Sequence, residues 1–270
     1  MSGPLIRRAI GLYAAGAVLL LIGAFPLLWM LSTALKPSGE IFATPPTLVP
    51  VHPTATNFTR LMAETNFVLF FQNSLAISLT TVLLTLTVSA LGAYGLTRYT
   101  FAGREKVAGL ILLTYMFAPI MIIIPFYILV KQLGIANTRL ALVLSYTTFC
   151  LPFCLWLLRA FFQSIPLELE EAALVDGAHR GKAVWYVVLP LALPGLIAAG
   201  IFTFILAWND FLFALVMSVQ WARPVTYILA GTGGTQLMMV RVLLAMLPPV
   251  VLALFVQRYL VRALTLGAVR

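Results

Sequence analysis

Charge is what this sequence has least of. Asp, Glu, Lys and Arg make up 9% of its 270 residues, and only 8 residues are Asp or Glu. A soluble domain carries roughly 25% charged residues, so a fully water-covered globule is excluded. Nucleotide and metal motifs are also missing. There is no G-x-x-x-x-G-K-[ST] phosphate loop and no H-E-x-x-H, and the only histidines are His52 and His179. No Ser/His/Asp or Cys/His set assembles within one loop region. The chain therefore reads as non-catalytic, with no cofactor or metal of its own, and any driven process must draw on a partner or an ion. The two cysteines, Cys150 and Cys154, share one helix face with no other ligand type nearby. They read as small, polarizable packing residues.

What the sequence has is apolar length. It is 62% hydrophobic with a mean hydropathy of +1.04. A membrane-crossing helix needs about 20 apolar residues, and six segments supply them: 10–35, 67–96, 107–130, 140–162, 187–219 and 241–264. They are apolar all round, without the alternation of barrel strands. The expectation is a single all-α transmembrane domain over 1–270. The run after Arg7-Arg8 exceeds the apolar core of a signal peptide, about 7–15 residues, and reads as an uncleaved anchor.

The net charge of +9 does not point to nucleic acid, because the basic residues sit singly at the ends of apolar runs. With the N-terminus in the cytoplasm, eleven Lys and Arg lie inside, among them Arg98, Arg104, Arg159, Arg180 and Lys182. Six lie outside: Lys36, Arg60, Lys131, Arg139, Arg223 and Arg241. That asymmetry favours N-in and C-in. The outer loop 36–66 holds five prolines, which fix φ and remove donors, so ordered coil is expected. A second outer segment, 220–240, carries Gly231-Thr232-Gly233-Gly234, suited to a close-approach loop. Proline also recurs within the spans, at Pro26, Pro119, Pro125, Pro152, Pro194, Pro248 and Pro249. Each breaks a backbone bond, which suits either irregular packing or a path that changes shape.

The segment 164–190 is different in kind. Pro166 can open a helix, Glu168, Glu170 and Glu171 suit its N-terminal dipole, and Ala172 and Ala173 favour helix. Gly177 ends or bends it, and a second short helix through Ala183 and Trp185 leads to Leu189-Pro190. The expectation is helix, turn, helix at the inner membrane surface. Its small and apolar residues suit a protein socket. Three glutamates disfavour rest on an anionic leaflet.

Glu171-Ala172-Ala173, Gly177, Val187 and Leu189-Pro190 match a long spaced motif: EAA, three residues, G, nine residues, I, x, LP. Only Val187 departs from it. The motif resembles that of ABC importer permease subunits. Ser32–Pro37, Phe204–Asp210 and the tail 257–269 resemble the carbohydrate branch, and within it the maltose-type second permease.

The resemblance implies a type I importer permease fold with cytoplasmic coupling helices in a bacterial inner membrane. It implies four kinds of partner: a second homologous permease, two ATPase subunits that bind ATP and Mg, an extracytoplasmic solute-binding protein, and a sugar-like substrate. Membrane lipid surrounds the spans. Glu171, Ala172, Ala173, Asp176 and Gly177 are implied to seat in the ATPase, with Asp176 steadying the turn. Gly231, Gly233 and Gly234 are implied to meet the binding protein, and 264–269 to reach between the ATPases.

Trp208, Asn209, Asp210 and Arg241 are candidates for the substrate path. Asp210 is the only acid inside an expected span, where acids are costly and face an interior or wet cavity. An aromatic, an amide and an acid suit a sugar; a backbone-bonded kink suits them equally. The departure at Met238-Met239-Val240-Arg241 would suit an acidic or highly hydroxylated ligand. The competing reading is a stand-alone secondary transporter or channel for a small polar solute. It would need paired intramembrane charges or a repeated half.

Overall fold

A computed structural model describes residues 3–117, 119–218, 222–230 and 234–267; side chains are described outside 3–10, 228–230 and 256–267. The described elements are helical: α1 Gly3–Ala34, α2 Thr56–Glu64, α3 Phe67–Arg98, α4 Arg104–Thr114, α5 Pro119–Gln132, α6 Arg139–Gln163, α7 Leu167–Val175, α8 Arg180–Ala183, α9 Leu189–Leu191, α10 Leu193–Asn209, α11 Leu212–Met217 and α12 Thr235–Gly267. Among the described residues, four helices are long and apolar enough to cross a membrane, and up to six spans result if two bent pairs each count as one.

Those bent pairs are where continuous runs were expected. The 107–130 run is α4 and α5, meeting at 95°. α4 closes through Tyr115 and Met116, whose N–H groups donate to Leu112 and Leu113 three residues back, a tightened last turn. Pro119 then opens α5, where its missing N–H has no helical partner to lose. The 187–219 run likewise breaks. A π turn spans Val184–Val188, α9 follows, and the 180–191 stretch meets α10 at 74°. Pro190 sits in the first turn of the three-residue α9 and Pro194 in the first turn of the 17-residue α10, so the break before α10 falls where proline costs least. Hydrophobicity alone cannot locate such bends.

The chain divides into two units, Met1–Val68 with Ile228–Pro248, and Leu69–Tyr227 with Pro249–Arg270. In the first unit, the most apolar 18 residues of α1 bury none of their number. Among its described side chains only Thr33 and Ala34 are buried, with Lys36 just beyond the helix. There the buried Asn57 of α2 donates Nδ2 to the carbonyls of Ala34 at 2.8 Å and Lys36 at 2.9 Å, satisfying orphan carbonyls of a helix end. The loop expected to be coil to residue 66 is coil only to Ala55. Its last proline is Pro53, and beyond it α2 forms, with an exposed Arg60–Glu64 pair at i, i+4. Glu40 organises the coil, accepting from Val51 N at 2.8 Å and Thr47 Oγ1 at 3.0 Å. The Val51 N–H, helped by Thr47, His52 and Lys36, holds its carboxyl below the usual value against slight desolvation.

In the second unit α6 is the central helix. Toward its end Cys150, Cys154, Leu155, Leu158 and Phe162 pack with Ala93 and Leu96 of α3, Ala108 of α4 and Ala199 of α10. Toward its start Leu142, Val143 and Tyr146 pack with Ile77, Ile123, Ala207, Phe213 and Met217. Lipid tails are as apolar as these side chains, so close fit rather than water exclusion holds such helices together. α3 presents Ser74, Ser78, Thr81, Thr85 and Ser89, all buried, and small residues of this kind let backbones approach. Cys154 belongs to the same fit, its Sγ 3.2 Å from Thr203 Oγ1. Both cysteines are free and buried.

Candidate functional site

The 164–190 segment folds as helix, turn, helix. α7 ends by a fully formed Schellman turn. Ala178 N donates to Ala173 O at 3.0 Å, and Gly177 N to Leu174 O at 3.1 Å, with Gly177 at φ +87° in the C′ position. An L side chain rarely adopts that conformation, so glycine is the natural residue there. Asp176 is exposed and makes no side-chain hydrogen bond among the described residues. The turn is held by the backbone. His179 then caps α8, its Nδ1 accepting from Lys182 N at 3.3 Å.

The surface this presents is small and open. Glu171 and Ala172 are exposed, Ala173 is half-buried, and Asp176 and Gly177 are exposed. Val175 is 87% exposed, with no packing reason to be apolar. A helix advances about 100° per residue, so adjacent glutamates cannot face the same way. Glu171 faces out; Glu170 turns inward and is the one buried residue of α7. Its carboxylate accepts the Tyr94 hydroxyl and lies 3.0 Å from Arg98 Nε. Sequence reading grouped the three glutamates together and missed Glu170, Arg98 and Tyr94. The doubled acid beside the motif was the available signal.

The candidates near the end of α10 separate. Trp208 is buried, stacked on Phe204 with centroids 5.5 Å apart and edge-on to Phe71 at 5.4 Å. Asn209 is exposed. Asp210 Oδ2 accepts from Tyr146 Oη at 2.9 Å, Phe213 N at 3.0 Å and Ala214 N at 3.2 Å, so it caps α11. It also borders a cavity of about 320 Å³ lined by Tyr115, Phe117, Phe149 and Cys150. Arg241, in the other unit, is buried and lines a cavity of about 440 Å³ with Asn57, Arg60, Glu64 and Gln236. Gly231 and Gly233 lie outside the described residues, as do the last residues of the 264–269 tail. Gly234 is described and exposed.

Residues 104–266 match the family of binding-protein-dependent transport system inner membrane components, and the chain belongs to that family. It is a non-catalytic permease component of an ABC transporter. Among curated relatives, it is 37% identical over 203 residues to the sulfoquinovosyl glycerol transport system permease protein of Agrobacterium fabrum, covering 75% of this chain and 71% of that one. It is 35% identical over 254 residues to the trehalose transport system permease protein of Mycobacterium tuberculosis, covering 91% and 92%. Among solved structures, it superposes with a TM-score of 0.82 at 20% identity on a bacterial ABC transporter involved in the import of the acidic polysaccharide alginate. The match covers 96% of this chain and 98% of that one, and speaks to the fold.

Proposed function

We propose that this chain is one of two permease subunits of an ATP-driven, binding-protein-dependent importer of a sugar or sugar derivative, with six spans and both termini in the cytoplasm. The observation that carries this reading is the surface of exposed Glu171, Ala172 and Val175 beside a glycine-ended turn, inside the segment matching the family. Glu171 pairs with a basic residue of an ATPase subunit, Ala172 and Ala173 form the close-contact face, and Gly177 sets the angle to α8. The excess of Lys and Arg on that side supports a cytoplasmic location. A second permease covers the apolar faces that a single chain leaves bare, and ATP and Mg belong to the ATPases.

A sugar-like cargo is supported by the named substrates of the relatives. A solved neighbour at 16% identity was captured with an alginate-bound periplasmic protein. Transport proceeds by alternating access. A loaded binding protein docks outside, ATP draws the coupling helices together and opens the outer mouth, and hydrolysis resets the inward-facing state. Asp210 serves this path structurally, as the cap of α11, and Arg241 favours an acidic or richly hydroxylated ligand at the outer side, Arg60 beside it being paired with Glu64.

The deciding experiment is purification from native membranes. A complex holding a second permease and two ATPases is expected, and the ligand on its binding protein is identified by mass spectrometry. Uptake by the isolated chain driven by an ion gradient would instead establish a secondary transporter. For Asp210, the Asn variant keeps an acceptor for the α11 cap, so near-normal uptake at low substrate is expected. A selective loss of apparent affinity with intact thermal stability would give Asp210 a ligand-binding role.

A further inference from the structure

The buried charge cluster under α7 is not part of the exposed docking face. Tyr94 and Arg98 are four residues apart at the end of α3 and so share a face. Glu170 meets both with one carboxylate: Oε1 takes the Tyr94 hydroxyl, and Oε2 lies 3.0 Å from Arg98 Nε. Arg98 Nη2 also donates to Ile165 O at 3.2 Å, in the link between α6 and α7. Side-chain exposures of 8% for Arg98 and 6% for Glu170 place the pair away from water. Tyr94 is fixed in turn, edge-on to the Phe162 ring at 6.4 Å.

A buried ion pair adds little net stability, because desolvation offsets the attraction, but its geometry is demanding and directional. Here it joins the end of a 32-residue apolar helix to a nine-residue surface helix. α7 also rests on α8 and on the 184–188 turn, which continue into α10. The charge cluster is a separate route, into α3.

We propose that Glu170, with Arg98 and Tyr94, is a rigid link that passes displacement of α7 to the end of α3, so that Glu171 docks the ATPase and Glu170 transmits its motion. This rests on the coupling reading of the 164–190 segment. Glu170 is a positioning residue, acting through Arg98 and Tyr94 rather than on any ligand.

The test uses the whole transporter in proteoliposomes with its binding protein, and reads solute imported per ATP hydrolysed. Glu170→Gln keeps size and one acceptor while removing the charge. It is expected to retain ATPase subunits in normal stoichiometry but to lower that ratio about tenfold, a size usual for coupling between sites. Tyr94→Phe removes one hydroxyl and is expected to lower it roughly threefold, as suits loss of one hydrogen bond. Arg98→Gln is measured as well, and Glu170→Gln combined with Arg98→Gln is expected to be little worse than the worse of the two alone, because both break the same ion pair and only the Arg98 bond to Ile165 O is lost besides.

An unchanged ratio in both Glu170→Gln and Tyr94→Phe overturns the proposal, as does a double variant whose loss is the product of the losses in Glu170→Gln and Arg98→Gln. If Glu170→Gln fails to assemble, Tyr94→Phe decides: a wild-type ratio there also overturns it. Failure of the coupling reading looks different, since the wild-type chain would then carry no ATPase subunits.

Discussion

Gly177 offers the sharpest test of how α7 is aimed. Its φ of +87° lies in the left-handed region, and a Cβ built there meets nothing within 4 Å. A substitution therefore costs backbone strain alone, with no side-chain clash to confuse the reading. For an ordinary L residue that strain is about 1–2 kcal/mol. β-branched residues fare worst and Asn best. The expected order of function is Gly, then Asn, then Ala, then Val. If the whole strain falls on the Schellman turn, a cost of about 1–2 kcal/mol lowers the correctly angled population roughly 5- to 30-fold. The assay is binding-protein-stimulated ATPase activity alongside uptake in proteoliposomes. Thermal stability of the solubilised protein should barely move, because the turn is exposed and carries no core contacts. Wild-type activity in Gly177→Val, or Asn as damaging as Val, would refute the argument.

Two further outcomes follow from packing and charge. In Gly195→Ala the new Cβ would sit 2.5 Å from Cγ and Cδ2 of Phe161, so the ring must shift. Overpacking of this kind costs about 1–3 kcal/mol. A lower melting midpoint is expected, partly restored by adding Phe161→Ala, which removes both clashing atoms, and additive losses in the pair would contradict the contact. Glu40 has a folded pKa depressed below its ordinary 4.5, so its contribution to loop order is complete above that value and fades as pH falls through the lower folded one. Proteolysis of the 36–55 loop should be flat from about pH 8 down to about 5 and rise only in stronger acid. The same acid midpoint in Glu40→Gln would assign the effect to another group.

How much of this was legible beforehand differs by element. The four long helices followed from apolar length; α3, placed at 67–96, spans Phe67–Arg98 and α6, placed at 140–162, spans Arg139–Gln163, whereas α1, placed from 10, begins at Gly3 and α12, placed from 241, begins at Thr235. Gly177 was recognised because glycine disfavours a helix interior and fills the glycine position of the motif; its positive φ is a finding of the structure. A kink or hinge was expected at Pro119 and Pro194, and bends fall beside them, but their size of 95° and 74° was not foreseen. A proline in a span signals a lost hydrogen bond but not whether the chain kinks or starts a new helix. α2 was missed because the prolines before it coloured the reading of the whole outer loop.

Composition and spacing determined that the chain lives in a membrane and carries the spaced motif from Glu171 to Pro190. These are properties of residue type and order, which local chemistry and hydrophobic length decide. Only the tertiary structure separated Glu171 from Glu170, sank Trp208 among aromatic rings and gave Asp210 to the cap of α11. Whether an acid faces out to a partner or inward to Arg98 depends on which helix passes beside it, and that is a property of packing between segments 72 residues apart.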